Sequence, residues 1–315
     1  MNAIRNILCA VRDPAAAEQP GIRKAIAIAK SFGASLELFH ALPPDQFLDL
    51  SSIAGTMDRD RERDALEHCG LRLEEFAAPA RRENVAVSCT VVSDPPPHEA
   101  ILRRAARSGA DLIIAECHQG GRHGAWLMHL TDWELARTST LPVLLIKGPK
   151  PYDNPVVLAA VDPGHKHAKP LDLDGKILAA GTRVCETLRG TLHVMHADNQ
   201  SLLPAGDAES PVPAYPAAVM YEAQRKRDRE TFEKFATDAG VPRERRHVVD
   251  EGPAAAIPQL ARELGASLVV MGAVSRSALK RLLIGNTAER VLDALPCDVL
   301  IVKPDGEKAV HDNPA

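Results

Sequence analysis

Residues 94–119, "DPPPHEAILRRAARSGADLIIAECHQ", return 156 positions later as residues 250–275, "DEGPAAAIPQLARELGASLVVMGAVS". Each stretch contains a helical pattern followed by a short apolar run. The same offset relates "LPVLLIKG" (141–148) to "CDVLIVKP" (297–304). A match at one fixed offset over separate segments indicates that a single structural unit is encoded twice.

The repeat extends towards the start of the chain. The segment "LELFHALP" (36–43) matches "LHVMHADN" (192–199), so that His40 corresponds to His196. The opening runs "NILCAVRDP" (6–14) and "VVLAAVDPG" (156–164) also match, but at an offset of 150. We infer an insertion near the first helix of the unit.

Each copy alternates strand patterns with helix patterns. Runs such as "DLIIA" (111–115) and "SLVVM" (267–271) are typical of strands that are covered on both faces. Residues 21–31 and 253–264 have helical periodicity, and the second of these opens with proline, which the first turn of a helix tolerates. The alternation predicts two tandem doubly wound α/β domains, each a mostly parallel five-stranded sheet flanked by helices.

The segment "GPKPYDNPV" (148–156) marks the predicted domain boundary, because proline and glycine break both periodicities there. We predict an N-terminal domain over residues 1–148 and a C-terminal domain over residues 155–305. Two charged amphipathic patterns, at 56–77 and 221–240, predict helices with solvated faces.

A second proline-rich segment, residues 202–219, is too long for an ordinary connection between elements. We predict that it forms a flexible lid or a surface loop.

Composition excludes several classes of protein. The 315 residues are 45% apolar. There are 38 Lys and Arg against 42 Asp and Glu, which gives a net charge of -4. We therefore expect no nucleic-acid partner, since the chain carries no excess of positive charge that would attract polyanions. We also expect no membrane partner, since no run approaches the ~20 apolar residues of a membrane span. With no signal-peptide pattern at the start, we expect a cytoplasmic protein. The six cysteines form no CxxC pair, and we predict buried, reduced thiols.

Residues 271–304, "MGAVSRSALKRLLIGNTAERVLDALPCDVLIVKP", together with the repeated unit, resemble the universal stress protein family, and in particular its tandem, two-domain E-type members. Nucleotide-binding members of that family carry Gly-x2-Gly-x9-Gly-(Ser/Thr) after the fourth strand and an acidic residue after the first. Here the spacing is kept by Gly272, Ser275, Gly285 and Asn286, and Asp162 follows the first strand of the second copy.

The resemblance implies a stress-response protein that acts by binding a small-molecule ligand and by interacting with protein partners. It implies ATP or a related adenine nucleotide as the cofactor, in the second copy alone. It also implies that the last strands of the two copies pair as an intramolecular pseudo-dimer, and it leaves open whether a further homodimer forms. The predicted cofactor-binding residues are Ala160, Asp162, Met271, Gly272, Ser275, Lys280, Gly285, Asn286 and Thr287.

The motif has a physical basis that does not depend on the family. Glycines let backbone N–H groups approach phosphates closely, and a helix N-terminus adds unpaired donors and a partial positive charge. Ser275 adds a Cβ but also a hydroxyl donor, and Thr287 offers another hydroxyl. Asn286 with Glu289 equally fits an approximate capping box that merely starts the helix. Lys280 equally fits a solvent-facing position.

Asp162 has two interpretations. Its carboxylate can bind a ribose hydroxyl at the carboxyl ends of the strands, where open α/β sheets place ligands. It can also be a turn-forming residue in "DPGH" (162–165).

The first copy has lost the motif. Glu116 stands where the second copy has Gly272, and His129 stands where it has Gly285. A carboxylate at that position repels phosphate. The run "TDWE" (131–134) is predicted to start the following helix as a capping box. We predict that this copy is a structural or partner-binding half.

Metal and catalytic signatures are weak. His118, His123 and His129 lie in one loop region without a CxxC, an HExxH or an i,i+4 pair, which favours a solvated loop over a metal site. His193 and His196 are three apart on one predicted strand and therefore point to opposite faces.

We predict binding with no catalytic residue, and at most a weak ATPase. Two alternatives stay open. A nucleotidyl-transfer enzyme would use "PGHKH" (163–167), although the order of an HxGH signature is wrong there. A site for a non-nucleotide apolar ligand would use Ala273, Val274 and Leu279.

Overall fold

The computed structural model describes six stretches of the chain, which are residues 3–42, 59–117, 129–164, 172–197, 214–272 and 286–304. The chain divides into two compact units between Tyr152 and Asp153. This division falls inside the proline-rich segment 148–156. The two parts are called the N-terminal unit and the C-terminal unit below.

The N-terminal unit alternates strands and helices throughout. Its elements are β1 (Asn6–Ala10), α1 (Pro20–Phe32), β2 (Ser35–Leu42), α2 (Arg59–Arg82), β3 (Val87–Ser93), α3 (Pro97–Ser108), β4 (Leu112–Glu116), α4 (His129–Thr138) and β5 (Val143–Ile146). The strands lie in the order β3-β2-β1-β4-β5, and all neighbours are parallel.

The C-terminal unit repeats this architecture. Its elements are β6 (Val156–Ala160), α5 (Leu173–Leu188), β7 (Thr191–Ala197), α6 (Ala214–Asp238), β8 (Arg246–Val249), α7 (Pro253–Glu263), β9 (Leu268–Gly272), α8 (Asn286–Ala294) and β10 (Asp298–Val302). The order β8-β7-β6-β9-β10 is again parallel throughout. The predicted pair of five-stranded α/β sheets is confirmed, whereas the pseudo-dimer packing stays a prediction.

The core of each unit consists of strands covered on both faces. Ile113 and Ile114, which are neighbours on β4 and point to opposite faces, both have no exposed surface. Helix α1 presents an apolar stripe to the sheet, with Ile22 and Ile26 one turn apart and both buried. Each such side chain contributes roughly 1.5–3 kcal/mol relative to remaining exposed, so the continuous apolar runs are the main source of stability.

Two expectations about element ends are wrong. Helix α6 begins at Ala214, so residues 214–219 of the predicted loop are helical, and Pro216 occupies a first turn whose N–H groups need no intrahelical partner. Residues 202–213 lie outside the described residues. Helix α4 already includes His129, so Thr131 is a helical residue. The predicted capping box required Thr131 to cap the helix, and it does not. Asp132 instead places a carboxylate in the first turn, where the helix dipole favours it.

The six cysteines are thiols, as predicted, but the predicted burial is wrong for three of them. Only Cys9, Cys185 and Cys297 are buried, and the others are partly exposed. Burial and the neighbouring Glu74 raise the pKa of Cys89 to about 12, so this thiol stays protonated and unreactive at neutral pH. Among the described residues, no helix combines the length and the apolar character needed to cross a membrane.

Helices α1 and α5 are both followed by a residue in the left-handed conformation, but the residue type differs between them. Gly33 has φ 63° and Arg189, which is 156 positions later, has φ 56°. Only glycine adopts this region without a steric penalty. Arg189 is exposed, so its side chain gives no burial energy to offset the strain.

We expect Arg189→Gly to raise the free energy of unfolding by about 0.5–1 kcal/mol, because it relieves that penalty. Gly33→Ala is the matched control, since no atom lies within 4 Å of a Cβ built there, and it should lower stability by a similar amount. Urea denaturation measures both. An Arg189→Gly variant no more stable than the wild type would contradict the assignment of strain.

Candidate functional site

The carboxyl ends of β6 and β9 lie side by side in the C-terminal unit. These strands are parallel, and their register pairs Ala159 with Val270, so the next residues, Ala160 and Met271, stand at the same edge of the sheet. The chain leaves β6 towards β7 on one side, while β9 lies on the other. This reversal of strand order is the switch point at which open α/β sheets bind ligands.

Four of the nine predicted site residues are thereby brought to one edge, namely Ala160, Asp162, Met271 and Gly272. Ser275, Lys280 and Gly285 lie outside the described residues. Asn286 and Thr287 form the first turn of α8, but their side chains are also outside the described part. The proposed capping by Asn286 therefore stays a prediction.

Gly272 has a packing role that is independent of any ligand. A Cβ at this position would lie 2.7 Å from Leu173 Cδ2 and 3.2 Å from Ile177 Cδ1. Both residues belong to α5 and are 2% exposed. The glycine thus allows α5 to pack closely on the end of β9, which the motif analysis, concerned with phosphate approach, did not foresee.

Asp162 lies in a loop that α5 and β7 hold from two sides. Its backbone N–H donates to Asp174 Oδ1 at 2.9 Å, and its own Oδ1 lies 3.5 Å from His196 Nδ1. Its side chain remains 44% exposed. The carboxylate is therefore fixed in place but reachable, which is what recognition of a hydroxyl requires.

Asp174 and Asp228 are buried residues that the sequence analysis missed. Asp174 lies in the first turn of α5, where the dipole favours a carboxylate. Asp228 of α6 accepts from Gln224 Nε2 at 2.9 Å, and its carboxylate fills the space that a Cβ at Gly164 would need. A first-turn acid could have suggested Asp174, whereas nothing local in the sequence links Asp228 to Gly164. Together with Asp162, these carboxylates give this side of the edge a negative character that suits hydroxyl groups and disfavours phosphates.

A histidine on the second strand of each unit fixes the residue that follows the first strand. His40 Nδ1 lies 2.7 Å from the Val11 carbonyl oxygen, and His196 Nδ1 lies 3.3 Å from that of Val161. Both histidines are buried. Burial lowers the pKa of His40, although the Val11 carbonyl and Asp13 act in the opposite direction. The matched histidines in the sequence thus have a structural role in both units.

The equivalent edge of the N-terminal unit is filled by a side chain. Glu116, which ends β4, accepts a hydrogen bond from the Gly21 N–H at the start of α1, with 2.5 Å between nitrogen and oxygen. Burial raises the pKa of Glu116, and the Gly21 N–H, Arg12 and Arg23 partly offset that effect. The chain's own carboxylate therefore takes a helix N-terminal donor that an external anion would otherwise use.

Large and small residues have exchanged places between the two units. A Cβ on Gly21 would lie 2.6 Å from Glu116 Cγ. At the repeat offset Gly21 corresponds to Ile177, and Glu116 corresponds to Gly272. One unit therefore pairs a small residue on the helix with a large one on the strand, and the other unit does the reverse.

Charge differs in the same region. Arg12 stands at the position of Asp162 in the opening match, so the residue after the first strand is basic in the N-terminal unit and acidic in the C-terminal unit. This difference at the second residue after the first strand, and the Glu116 contact, support the predicted loss of the site in the first copy.

The comparisons with known proteins agree with the fold and the repeat. The chain belongs to the universal stress protein family, whose model matches it twice, over residues 3–147 and 158–303. The predicted family is confirmed.

Relatives and solved structures match nearly the whole chain. The chain is 28% identical over 311 residues to "Universal stress protein E" of Escherichia coli (strain K12), covering 97% of this chain and 96% of the relative. It is 25% identical over 305 residues to "Universal stress protein E" of Photorhabdus laumondii, covering 95% of each. A crystal structure of a functionally unknown protein from Pseudomonas aeruginosa PAO1 is similar with a TM-score of 0.73 at 28% identity, covering 96% of this chain and 94% of that one. A universal stress protein from Archaeoglobus fulgidus has a TM-score of 0.62 at 15% identity and covers 96% and 97%, which shows the shared fold.

We expect Gly272→Ala to lower the free energy of unfolding by about 1–3 kcal/mol, because the new methyl group overpacks the contact with Leu173. Gly175→Ala is the matched control, since it adds the same methyl group on α5 with no atom within 4 Å. It should leave stability unchanged or slightly higher. Chemical denaturation distinguishes the two, and equal effects would contradict the packing role of Gly272.

We expect stability to fall as the pH drops through about 6.5, the value for an unperturbed histidine. The folded protein resists protonation of His40, whose pKa is lowered by burial, whereas the unfolded chain accepts the proton. His40→Gln should therefore show a smaller loss between pH 7.5 and pH 5.5 than the wild type, as measured by urea midpoints. The exposed His68 provides the control. If His68→Gln reduces the pH dependence as much as His40→Gln does, the explanation is wrong.

Proposed function

We propose that this chain is a stress-response protein that binds an adenine nucleotide in its C-terminal unit alone and acts through protein partners. The observation that carries the proposal is the contrast between the two equivalent sheet edges. At one edge Glu116 accepts the Gly21 N–H and fills the space. At the other edge the strand ends in Gly272, so no carboxylate stands there, and the apolar Leu173 and Ile177 pack against it. The Asp162 carboxylate, which follows β6 at the same edge, is 44% exposed.

Asp162 is the proposed ribose ligand. Its carboxylate is partly exposed while its backbone is anchored on Asp174, so little conformational entropy is lost when it accepts hydroxyl groups. Ala160 and Met271, at the adjoining strand ends, provide apolar surface for the base.

The phosphates are proposed to lie towards the first turn of α8. Asn286 and Thr287 begin that helix, and its unpaired N–H groups and dipole favour anions. The start of α5 is unsuitable, because Asp174 already occupies its first turn. Gly285, Ser275 and Lys280 complete this half of the proposed site.

We propose that the protein binds the nucleotide without a dedicated catalytic residue and hydrolyses it slowly at most. The residues on which the nucleotidyl-transfer alternative depends, His165 and His167, lie outside the described residues. So do Ala273, Val274 and Leu279, which motivated an apolar ligand. We propose a cytoplasmic location.

A thermal-shift titration of the full chain with ATP and magnesium tests the proposal. A ligand that binds the native state selectively raises the melting temperature by an amount that grows with its concentration. We expect this in the wild type, and we expect Asp162→Ala to weaken the apparent affinity by about tenfold or more, since a hydrogen bond to a charged group contributes about 1.5–3 kcal/mol.

Arg12→Ala is the matched control, because it alters the equivalent position of the N-terminal unit. It should bind ATP as the wild type does. No shift of the wild type at millimolar ATP would exclude the nucleotide, and an equal loss in both variants would exclude a site confined to the C-terminal unit.

A further inference from the structure

Two histidines face each other on neighbouring strands of the C-terminal unit, away from the candidate nucleotide site. His193 is near the amino end of β7 and His247 is near that of β8. The register pairs Met195 with His247, and His193 is two residues from Met195, so the two imidazoles share one face of the sheet. His193 Nδ1 lies 3.0 Å from His247 Nε2, and the ring centroids are 5.2 Å apart.

The other histidine of β7 does not belong to this cluster. His196 contacts the Val161 carbonyl oxygen and stacks on Phe232 of α6, with the ring centroids 5.9 Å apart. The predicted placement of His193 and His196 on opposite faces agrees with these contacts. The cluster is therefore the pair formed by His193 and His247, which we call the imidazole pair.

The N-terminal unit has an ion pair in the equivalent place. Glu37 of β2 accepts from Thr90 Oγ1 of β3 and from Arg104 Nε of α3, both at 2.7 Å. The side chain of Glu37 is 9% exposed, so its charge is neutralised inside the unit.

The same positions have changed together in the C-terminal unit. At the repeat offset Glu37 corresponds to His193 and Arg104 corresponds to Leu260. Thr90 pairs with Phe39 as His247 pairs with Met195. The substitution removes the acid and the cation from these positions and introduces two imidazoles, so the charge neutralisation of the N-terminal unit is replaced by a pair of neutral nitrogen donors.

We propose that His193 Nδ1 and His247 Nε2 bind one divalent transition-metal ion of the kind that prefers imidazole, namely Cu²⁺, Ni²⁺ or Zn²⁺. Metal–nitrogen bonds of about 2.0–2.1 Å place two nitrogens about 2.9 Å apart at a right angle and about 3.3 Å apart at the tetrahedral angle. The observed 3.0 Å falls between these values. The two nitrogens therefore already have the spacing of a bound pair, and the rings must turn so that both lone pairs point at the ion instead of along the line between the nitrogens.

The surroundings keep both rings in the form that binds metal. Burial is the main cause that lowers the pKa of His193, with further contributions from His247 and Arg245. Burial also lowers the pKa of His247, against an opposing effect of Glu263. The two rings therefore favour the neutral form more than a free imidazole does, and neutral imidazole is the form that binds metal.

The proton balance is simple. In the empty pair one ring nitrogen donates its hydrogen to the other. When the ion binds both nitrogens, that hydrogen moves to the opposite nitrogen of its own ring, so no net proton is released at pH 7. Acid weakens binding, because protons compete for the same lone pairs.

The site is an open one. Within the described residues, no third His, Cys, Asp or Glu joins the pair to form a group of three. Water therefore completes the coordination, and the affinity is set by two nitrogens. Strand β8 is the outermost strand of its unit's sheet, and both rings are partly exposed, so the ion reaches the site from solvent.

Isothermal titration of the full chain with Ni²⁺ at pH 7.5 tests the proposal, because Ni²⁺ prefers imidazole and does not oxidise the free thiols. We expect His193→Gln and His247→Gln each to weaken one class of site by at least tenfold. The double variant should lose no more than either single variant, since both residues hold the same ion. The half-buried His98 of α3 provides the control, and His98→Gln should leave the isotherm unchanged.

Electron paramagnetic resonance of the protein with one equivalent of Cu²⁺, after its accessible thiols have been alkylated, provides a second readout that does not depend on affinity. We expect nitrogen hyperfine structure from two imidazoles in the wild type and from fewer in either single variant. Circular dichroism in EDTA shows whether the variants fold. Folded single variants that bind Ni²⁺ as the wild type does, or a double variant that loses the sum of two independent sites, would overturn the proposal. ATP binding is unaffected in either case, so this test is independent of the nucleotide site.

Discussion

The structure depends on one constraint, which is that every strand in each unit is parallel to its neighbours. Parallel strands cannot be joined by tight hairpins, so a helix must cross over between each consecutive pair. These helices cover both faces and bury side chains on alternate sides of one strand, as Ile113 and Ile114 show. The same constraint places the strand carboxyl ends of each unit at one edge, so Asp162, which follows β6, and Gly272, which ends β9, lie at the same edge although they are far apart in sequence.

Comparing the two units distinguishes the features required by the fold, which both units share, from the features of a site, which differ between them. Both units keep the strand order and the histidine that holds the carbonyl after the first strand, His40 in one and His196 in the other. The two units differ in the side chains near the amino ends and near the carboxyl ends of their strands. At the amino ends an acid paired with an arginine in one unit is replaced by two imidazoles in the other. The scaffold thus tolerates different charges at equivalent positions, because the groups are satisfied locally: Arg104 pairs with Glu37 in one unit, and the two imidazoles contact each other in the other.

The amino-acid sequence was sufficient to predict the fold class, the repeat and the family, because continuous apolar runs and a fixed offset are properties of the chain itself. It also placed Asp162 and Gly272 at one edge, since parallel strands share their direction. It could not predict that Leu173 presses on Gly272 or that Asp174 holds the Asp162 backbone. Those contacts join different elements, and only three-dimensional packing brings them together. The starts of α4 and α6 were missed for a local reason, because Thr131 and Pro216 are acceptable both before a helix and within its first turn.

The exchange of sizes between Gly21 with Glu116 and Ile177 with Gly272 also bears on how the two halves can evolve. Replacing Glu116 by glycine would leave a gap beside Gly21, and replacing Gly21 by isoleucine first would collide with Glu116. Either change made alone is therefore destabilising in the N-terminal unit. The helix position and the strand position are thus coupled through packing, so we expect substitutions at the two positions to be tolerated together more readily than singly.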